Sequence, residues 1–357
     1  MPGRCFAPGR PGYRPSVSCR VEQPRGPVSE ALADALLGTG PSPDAIPVDP
    51  ATDPLADDDL QLALYWCYEL HYRGLEGVDD RWEWAPALLA LRARLEDVFE
   101  RGLVDAVGPT GEAPDPEEVD RALRELGAED AGGRSLSRHL ESEATLGQMR
   151  EFLAHRSAYQ LKEADPHSWA LPRLYGQPKA ALVEIQADEY GGGRAERIHA
   201  ELFAASMRAL GLDATYGAYV PRLPAPTLAT VNLMSFLGLH RRLRGALVGH
   251  LALFETTSPI PNRRYAQGLR RLGFDDEAAT AFFVEHVEAD AVHEAIACVD
   301  LAAGLARQQP ALAQDIVWGA RALEVLEERW SAYLLDAWEA GESSLRAPLG
   351  RPAVPAV

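Results

Sequence analysis

Two imidazoles and a carboxylate, His286, Asp290 and His293, recur at i, i+4 and i+7 within one apolar stretch. At ~100° per residue the three fall on one face of a single helix. Imidazole together with carboxylate suits a transition metal such as iron. One helix cannot complete such a site, so carboxylates from elsewhere must join it. A second group, Glu184, Asp188, Glu189, Glu196 and His199, lies within sixteen residues of chain. Glu163 and Glu255 each place a carboxylate beside apolar residues at a helix end. Glu255 follows Leu251-Ala-Leu-Phe254 and is expected to be buried, which costs several kcal/mol unless the group is paired or metal-bound.

Spacing alone leaves two arrangements open. A ferritin-like one pairs Glu196-x-x-His199 with Asp290-x-x-His293 as the two carboxylate-x-x-His motifs of a dimetal bundle. The other joins Glu189 to His199, ten residues and ~15 Å apart along a straight helix. That one requires a helix break, which Gly191-Gly192-Gly193 can provide.

The elements that would carry these residues read as helical almost throughout. Leu60–Tyr72 is apolar and aromatic, and Trp82–Arg101 repeats leucine and valine at helical spacing. A break follows at Val107-Gly-Pro-Thr-Gly, then a short amphipathic helix over Pro116–Leu126 and a second loop ending at Gly133. Thr145-Leu-Gly-Gln148 has the form of a capping box. The helix it opens is expected to run to about Ala164, where Asp165-Pro166 stops it. Pro178 suits the first turn of a helix reaching Tyr190, and Arg194–Leu210 continues to a capping glycine at Gly211. Ala225–Phe236, His240–Glu255, Arg263–Leu272, Asp276–Arg307 and Pro310–Ala340 follow. Strand signals are nearly absent, so the expected class is all-α, a bundle able to build metal sites from inward-facing side chains.

The bulk properties fit that class and exclude others. The chain has 357 residues, 46% hydrophobic and 25% charged, enough for a sizeable core. Its net charge of −18, from 35 basic and 53 acidic residues, argues against nucleic acid or an anionic membrane as partner. No apolar run is long enough to span a bilayer, and the N-terminus lacks the apolar region of a signal peptide. Cys5, Cys19, Cys67 and Cys298 form no C-x-x-C pair, so neither a disulfide framework nor a zinc ribbon is expected, and the cytoplasm is the natural compartment. The expected divisions are a disordered Pro/Gly-rich leader over 1–55, broken by a short helix near Ser29–Leu37, a helical extension over 56–135, a core over 136–342 and a flexible tail over 343–357.

The motifs resemble those of the haem-oxygenase-like di-iron oxidases and oxygenases, the iron-containing redox enzymes. The resemblance rests on Glu184-x-x-x-Asp188-Glu189-Tyr190-Gly191, on His199 ten residues beyond Glu189, and on His286-x-x-x-Asp290-x-x-His293, with Glu163 and Glu255 at matching positions. It covers about residues 140–340, so the helical part before it is an N-terminal extension. It implies a haem-oxygenase-like helical bundle whose Glu163, Glu189, His199, Glu255, His286, Asp290 and His293 bind two iron ions, choosing Glu189 over Glu196. It further implies that O2 is the co-substrate and that a small organic molecule, amino-acid-derived or fatty, is N-oxygenated, desaturated or cleaved at a C–C bond. It leaves room for an external electron donor and a homodimer.

Other residues have plainer readings beside functional ones. Glu184 and Asp188 suit a supporting role behind an imidazole ligand or a solvated surface. Tyr159 and Tyr190 suit hydrogen bonds to a ligand or packing. Arg156, Arg197 and Arg321 suit surface charge better than a substrate carboxylate. Glu69 and His71, at alternate positions of a helix, are not counted as ligands. His155, His240 and His250 read as structural, and the Tyr65–Tyr72 run with Trp82 and Trp84 as packing or an oligomer contact. Two alternatives of another kind stand beside the di-iron reading: a non-catalytic metal- or partner-binding module, and haem degradation with His155 as axial ligand.

His286 and His293 are ~10 Å apart along an ideal helix, so serving two adjacent irons requires distortion around Asp290. Residues 284–296 are therefore expected to be less protected from hydrogen exchange without iron than with it; identical protection would contradict this.

Overall fold

The computed structural model describes residues 19–49, 52–108, 114–128 and 133–350, with the side chains of 288–292 excepted. Helices α1 (Pro27–Leu36), α2 (Asp58–Glu69), α3 (Pro86–Val107) and α4 (Val119–Leu126) form its N-terminal part. The remainder is α5 (Leu136–Ser142), α6 (Leu146–Gln160), α7 (Asp165–Ser168), α8 (Gly176–Glu189), α9 (His199–Ala209), α10 (Ala225–Leu239), α11 (Arg244–Thr257), α12 (Pro259–Arg271), α13 (Glu277–Ala295), α14 (Gly304–Gln308) and α15 (Ala313–Glu339). The all-α expectation holds. The strand pairing among the described residues is a two-residue parallel contact of β1 (Cys19–Arg20) with β2 (Leu75–Glu76). No helix of the described residues is long and apolar enough to cross a membrane.

Local chemistry explains the ends of the site-bearing helices. Thr145 caps α6 and Gln148 returns the bond to the Thr145 amide, the capping box read in the sequence. The helix ends earlier than expected, at Gln160, and Leu161–Ala164 form a hydrogen-bonded turn. Asp165-Pro166 opens α7 instead of stopping α6, because proline in a first helical turn gives up no hydrogen bond. Past α8 the chain turns through Gly191, Gly192 and Gly193, all at positive φ. A Cβ on Gly191 would stand 2.6 Å from the Arg197 carbonyl carbon, so only glycine fits where the chain doubles back. Helix α13 passes without interruption into a π-helical stretch, Ile296–Ala303, a wide-wound form found mostly as single turns and often at functional sites.

Two boundary expectations change. The described part of the leader is not disordered. Pro27 starts α1, the Asp59 carboxylate accepts from the Val28 and Ser29 amides, and Leu32, Leu36 and Ile46 are buried. The proline-rich composition concealed these few well-placed apolar residues. Residues 1–18 lie outside the described residues. The tail also packs: Ser344 and Leu345 are buried, and the Arg346 amide donates to the Arg222 carbonyl. Residues 351–357, Cys5 and the loop positions 109–113 and 129–132 are likewise outside the description. One contiguous core unites the extension with the C-terminal bundle. Tyr65, Trp66 and Tyr68 belong to that core, whereas Trp84 is 62% exposed. Cys19, Cys67 and Cys298 are free and buried.

The crossing of α11 on α15 is set by glycine. A Cβ on Gly249 would collide with the Ile316 carbonyl oxygen, and one on Gly319 with the Ala246 carbonyl oxygen. Backbone meets backbone there, and neither neighbour is a side chain able to swing aside. Gly249→Ala and Gly319→Ala are each expected to destabilise the protein by about 3 kcal/mol, read as a lower denaturation midpoint. An unchanged midpoint would contradict this account of the crossing.

Candidate metal centre

Five segments deliver six buried ionisable side chains to one place. Glu163 comes from the turn after α6, Glu189 from the last residue of α8, His199 from the first of α9, Glu255 from α11, and His286 and His293 from α13. One donor atom each from Glu163, Glu189, His199 and His286 lies within a mutual 4.8 Å, and so do donor atoms of Glu189, Glu255 and His293. Glu189 belongs to both groups. The glycine turn makes this possible: by reversing the chain it brings His199 Nδ1 to 3.0 Å from Glu189 Oε2. The two α13 imidazoles belong to different groups, His286 to the first and His293 to the second.

The remaining contacts fix which nitrogen each ring presents. His286 Nδ1 lies 2.7 Å from the Phe282 carbonyl oxygen, one turn back, which leaves Nε2 facing Glu163 Oε1 at 3.4 Å. His293 Nε2 lies 3.0 Å from Asp188 Oδ2, which turns Nδ1 toward Glu255 Oε2 at 3.4 Å. A carboxylate or carbonyl behind an imidazole sets its tautomer and orientation in metal sites. Asp188 holds that place, as the sequence allowed.

The donor set passes a physical test of fit to a metal. Both oxygens of Glu163, Oε2 of Glu189 and Nδ1 of His199 are buried with no hydrogen-bond partner. His199 Nδ1 and Glu189 Oε2 are within reach of each other but lack hydrogen-bond alignment. Buried polar atoms are almost always satisfied, because each unsatisfied one costs about 1–3 kcal/mol. Lone pairs that converge without bonding to protein are what a cation requires. Oxygen and nitrogen donors with no thiolate suit iron or manganese.

The electrostatics are those of a cluster built around shared charge. Burial lifts the Glu163 carboxyl, and the repulsion of Glu189 adds to it against the attraction of His286. Burial works the same way on Glu189, but His199 and its neighbouring imidazoles outweigh it and bring the group down to about 2. Burial depresses His199 and His293; Glu189 overcomes it for His199, and Glu255 with Asp188 raises His293 to about 9.

Other residues singled out in the sequence take different places. Asp290 lies on α13, but its side chain is outside the described residues. Glu196 is exposed, so the arrangement through Glu189 is the one the fold assembles. Glu184 is exposed too and stands away from the cluster as a surface group, because its side of α8 meets solvent. Tyr190 directs its hydroxyl to Asp165 and Ser168 rather than to a ligand. Tyr159 borders the same small void as Glu163, Glu189, Glu255 and His286. Arg156 is not surface charge: it is held bidentate by Glu327 at 2.9 and 2.7 Å and lies over the Trp330 ring. Arg197 pairs with Glu285 at the surface and Arg321 is exposed. His155 has both ring nitrogens within hydrogen-bond reach of Thr227 and Ser344, which removes it as a haem ligand.

A cavity of about 610 Å³ adjoins the cluster. Glu163 and His286 form part of its wall, with Phe203, Phe254, Tyr265 and Trp330 supplying apolar surface. Its size is that of a small-molecule site. Three features went unread in the sequence: the pairing of Arg156 with Glu327, the buried contact of His167 Nε2 with His250 Nδ1 at 3.1 Å, and the role of Glu69. Only Glu69 carried a signal, as a lone charge inside an apolar aromatic run.

Comparison with known proteins relates the chain to a described family. A family described as iron-containing redox enzymes matches residues 150–328. A nitrosourea synthase from Streptomyces achromogenes subsp. streptozoticus is 28% identical over 232 residues, 62% of this chain. The chain spans about half, 48%, of that relative's length. A CADD-like protein of unknown function from Nostoc punctiforme shares 19% identity, with a TM-score of 0.49 over 62% of this chain and 97% of that one.

Cation binding must expel the protons held by these imidazoles. His293 stands near 9, so at pH 7 loading is expected to release protons, and affinity to rise with pH toward 9. Titration calorimetry in two buffers of different ionisation enthalpy reads this directly; equal heats would contradict it. In the metal-free protein the raised His293 contributes stability that is full below its unfolded value of ~6.5 and is lost as pH rises through about 9.

Proposed function

The chain belongs to the family of iron-containing redox enzymes, and we propose that it is a non-haem di-iron oxidase or oxygenase that uses O2 to oxidise a small organic substrate. The observation that carries this is the sharing of Glu189 between two donor groups, the arrangement expected of a carboxylate between two metal ions. Glu163, His199 and His286 would hold one iron and Glu255 and His293 the other, with Glu189 common to both and Asp290 added by its place in the family motif. When bound, the irons supply the redox equivalents and open coordination positions at which O2 is reduced.

The chain's own residues do the rest. The four carboxylates of that set would offset the positive charge of the metals, and the neutral imidazoles would add donors without charge. The Phe282 carbonyl and Asp188 keep the imidazole lone pairs aimed inward. The cavity would seat the substrate against the Glu163 and His286 side, with Phe203, Phe254, Tyr265 and Trp330 supplying its apolar contacts. The Arg156–Glu327 pair lets both charges line the cavity at little electrostatic cost. Among N-oxygenation, desaturation and C–C cleavage, the relative named nitrosourea synthase favours oxidation of nitrogen, on an amino-acid-derived substrate with an external electron donor closing the cycle.

Anaerobic Fe(II) addition followed by O2 is the direct test. The protein is expected to bind about two irons per chain and to consume O2 on mixing. His286→Ala is expected to lose one iron and most of the O2 consumption. Binding well below two irons, unaltered behaviour of His286→Ala, or iron binding with no O2 consumption would each overturn the reading.

A further inference from the structure

The Leu161–Asp165 turn is pinned on both sides of Glu163. Arg73 Nη2 donates to the Leu161 carbonyl oxygen at 2.9 Å. Lys162 Nζ donates to Glu69 Oε2 at 2.8 Å, with the two side chains 1% and 0% exposed. On the far side Gln186 Nε2 donates to the Ala164 carbonyl oxygen at 3.0 Å, and the Tyr190 hydroxyl to Asp165 Oδ1 at 2.9 Å. Glu163, in the middle, has no hydrogen bond to either side-chain oxygen and faces the imidazoles of His286 and His199 instead. A short turn fixed at four of its five residues holds its one remaining side chain in a set direction.

The two halves of this clamp have different origins. Gln186 and Tyr190 lie on and just after α8, inside the family match. Glu69 ends α2 and Arg73 follows it, so both belong to the N-terminal extension, outside the matched region. Glu69 is itself held by the Tyr216 hydroxyl at 2.6 Å, and Lys162 lies 4.2 Å from the Tyr72 ring centre. A buried ion pair of this kind is poor evidence for stability, since well-packed apolar residues usually serve as well. What an ion pair with a fixed geometry does supply is registry between the elements it joins.

We propose that the N-terminal extension is a working part of the metal centre: Glu69, through Lys162, and Arg73, through the Leu161 carbonyl, are positioning residues that hold Glu163 in its donor orientation. The inference rests on Glu163 being a metal ligand. It assigns to two residues 90 or more positions upstream a role in one half of the centre and none in the other. Glu255 and His293, the other half, are carried by α11 and α13, and neither helix belongs to the extension.

The test is anaerobic titration of the full chain with Fe(II), and with Co(II) as a coloured reporter of coordination. Arg73 is exposed, so Arg73→Gln is expected to keep the wild-type melting temperature. It is expected to weaken one of two iron-binding steps about tenfold, to alter the Co(II) bands of that step and to leave the other unchanged. Arg73→Lys, which can still donate to a carbonyl, is expected to restore the affected step. Glu69→Gln is expected to act on the same step more strongly. Arg20→Ala, which breaks an exposed pair with Glu76 elsewhere in the extension, is expected to change neither step. Wild-type affinity at both steps in Arg73→Gln and Glu69→Gln would overturn the inference alone. So would an equal weakening of both steps with a fall in melting temperature. If wild-type protein binds no iron, the ligand assignment falls and the inference with it.

Discussion

Charge inside an apolar bundle is the constraint on which the rest of this structure depends. Three carboxylates and three imidazoles are withdrawn from water at one spot, each at a cost of several kcal/mol when uncompensated. No pairing among them satisfies every atom, since two of the carboxylates and one imidazole keep donor or acceptor atoms unbonded. The fold supports this arrangement with devices that would otherwise weaken it. Three successive glycines at positive φ turn α8 back into α9, and glycines on α11 and α15 let two helices touch backbone to backbone. The first brings His199 beside Glu189, and the second brings α11, which carries Glu255, close against α15.

Much of this was legible in the sequence because helices are periodic. Spacing put His286 and His293 on one face, and the glycine run announced a break at the point where Glu189 and His199 need one. Spacing alone did not choose between Glu189 and Glu196. Both are one short stretch from His199, and only the direction of the reversed chain separates a buried carboxylate from an exposed one. The capping box at Thr145 and Gln148 was readable for a related reason: its signal and its structure lie within four residues of each other.

What stayed hidden depends on contacts between distant segments. The Pro/Gly-rich composition before Asp57 suggests disorder, yet α1 folds because Asp59, some thirty residues further on, caps its N-terminus. Arg156 reads as surface charge until Glu327, 171 residues away, is placed beside it. Asp165-Pro166 ends one helix or begins the next according to how the preceding turn is held, and the groups holding it come from α8 and the residues after α2.

The exposure of Asp188 makes the two halves of the centre inequivalent. His293 is 1% exposed, whereas the Asp188 side chain bonded to it is 61% exposed. On that side the interior stands one hydrogen bond from bulk water. On the other side Glu163 and His286 face a cavity of about 610 Å³ whose wall mixes aromatic rings such as Phe203, Phe254 and Trp330 with the charged Arg156 and Glu327. A cation on the first side would therefore lie behind a single solvated carboxylate, and one on the second beside the space that a small molecule could fill. Two ions held by the same kinds of donor would thus have different neighbours, solvent through Asp188 for one and the contents of the cavity for the other.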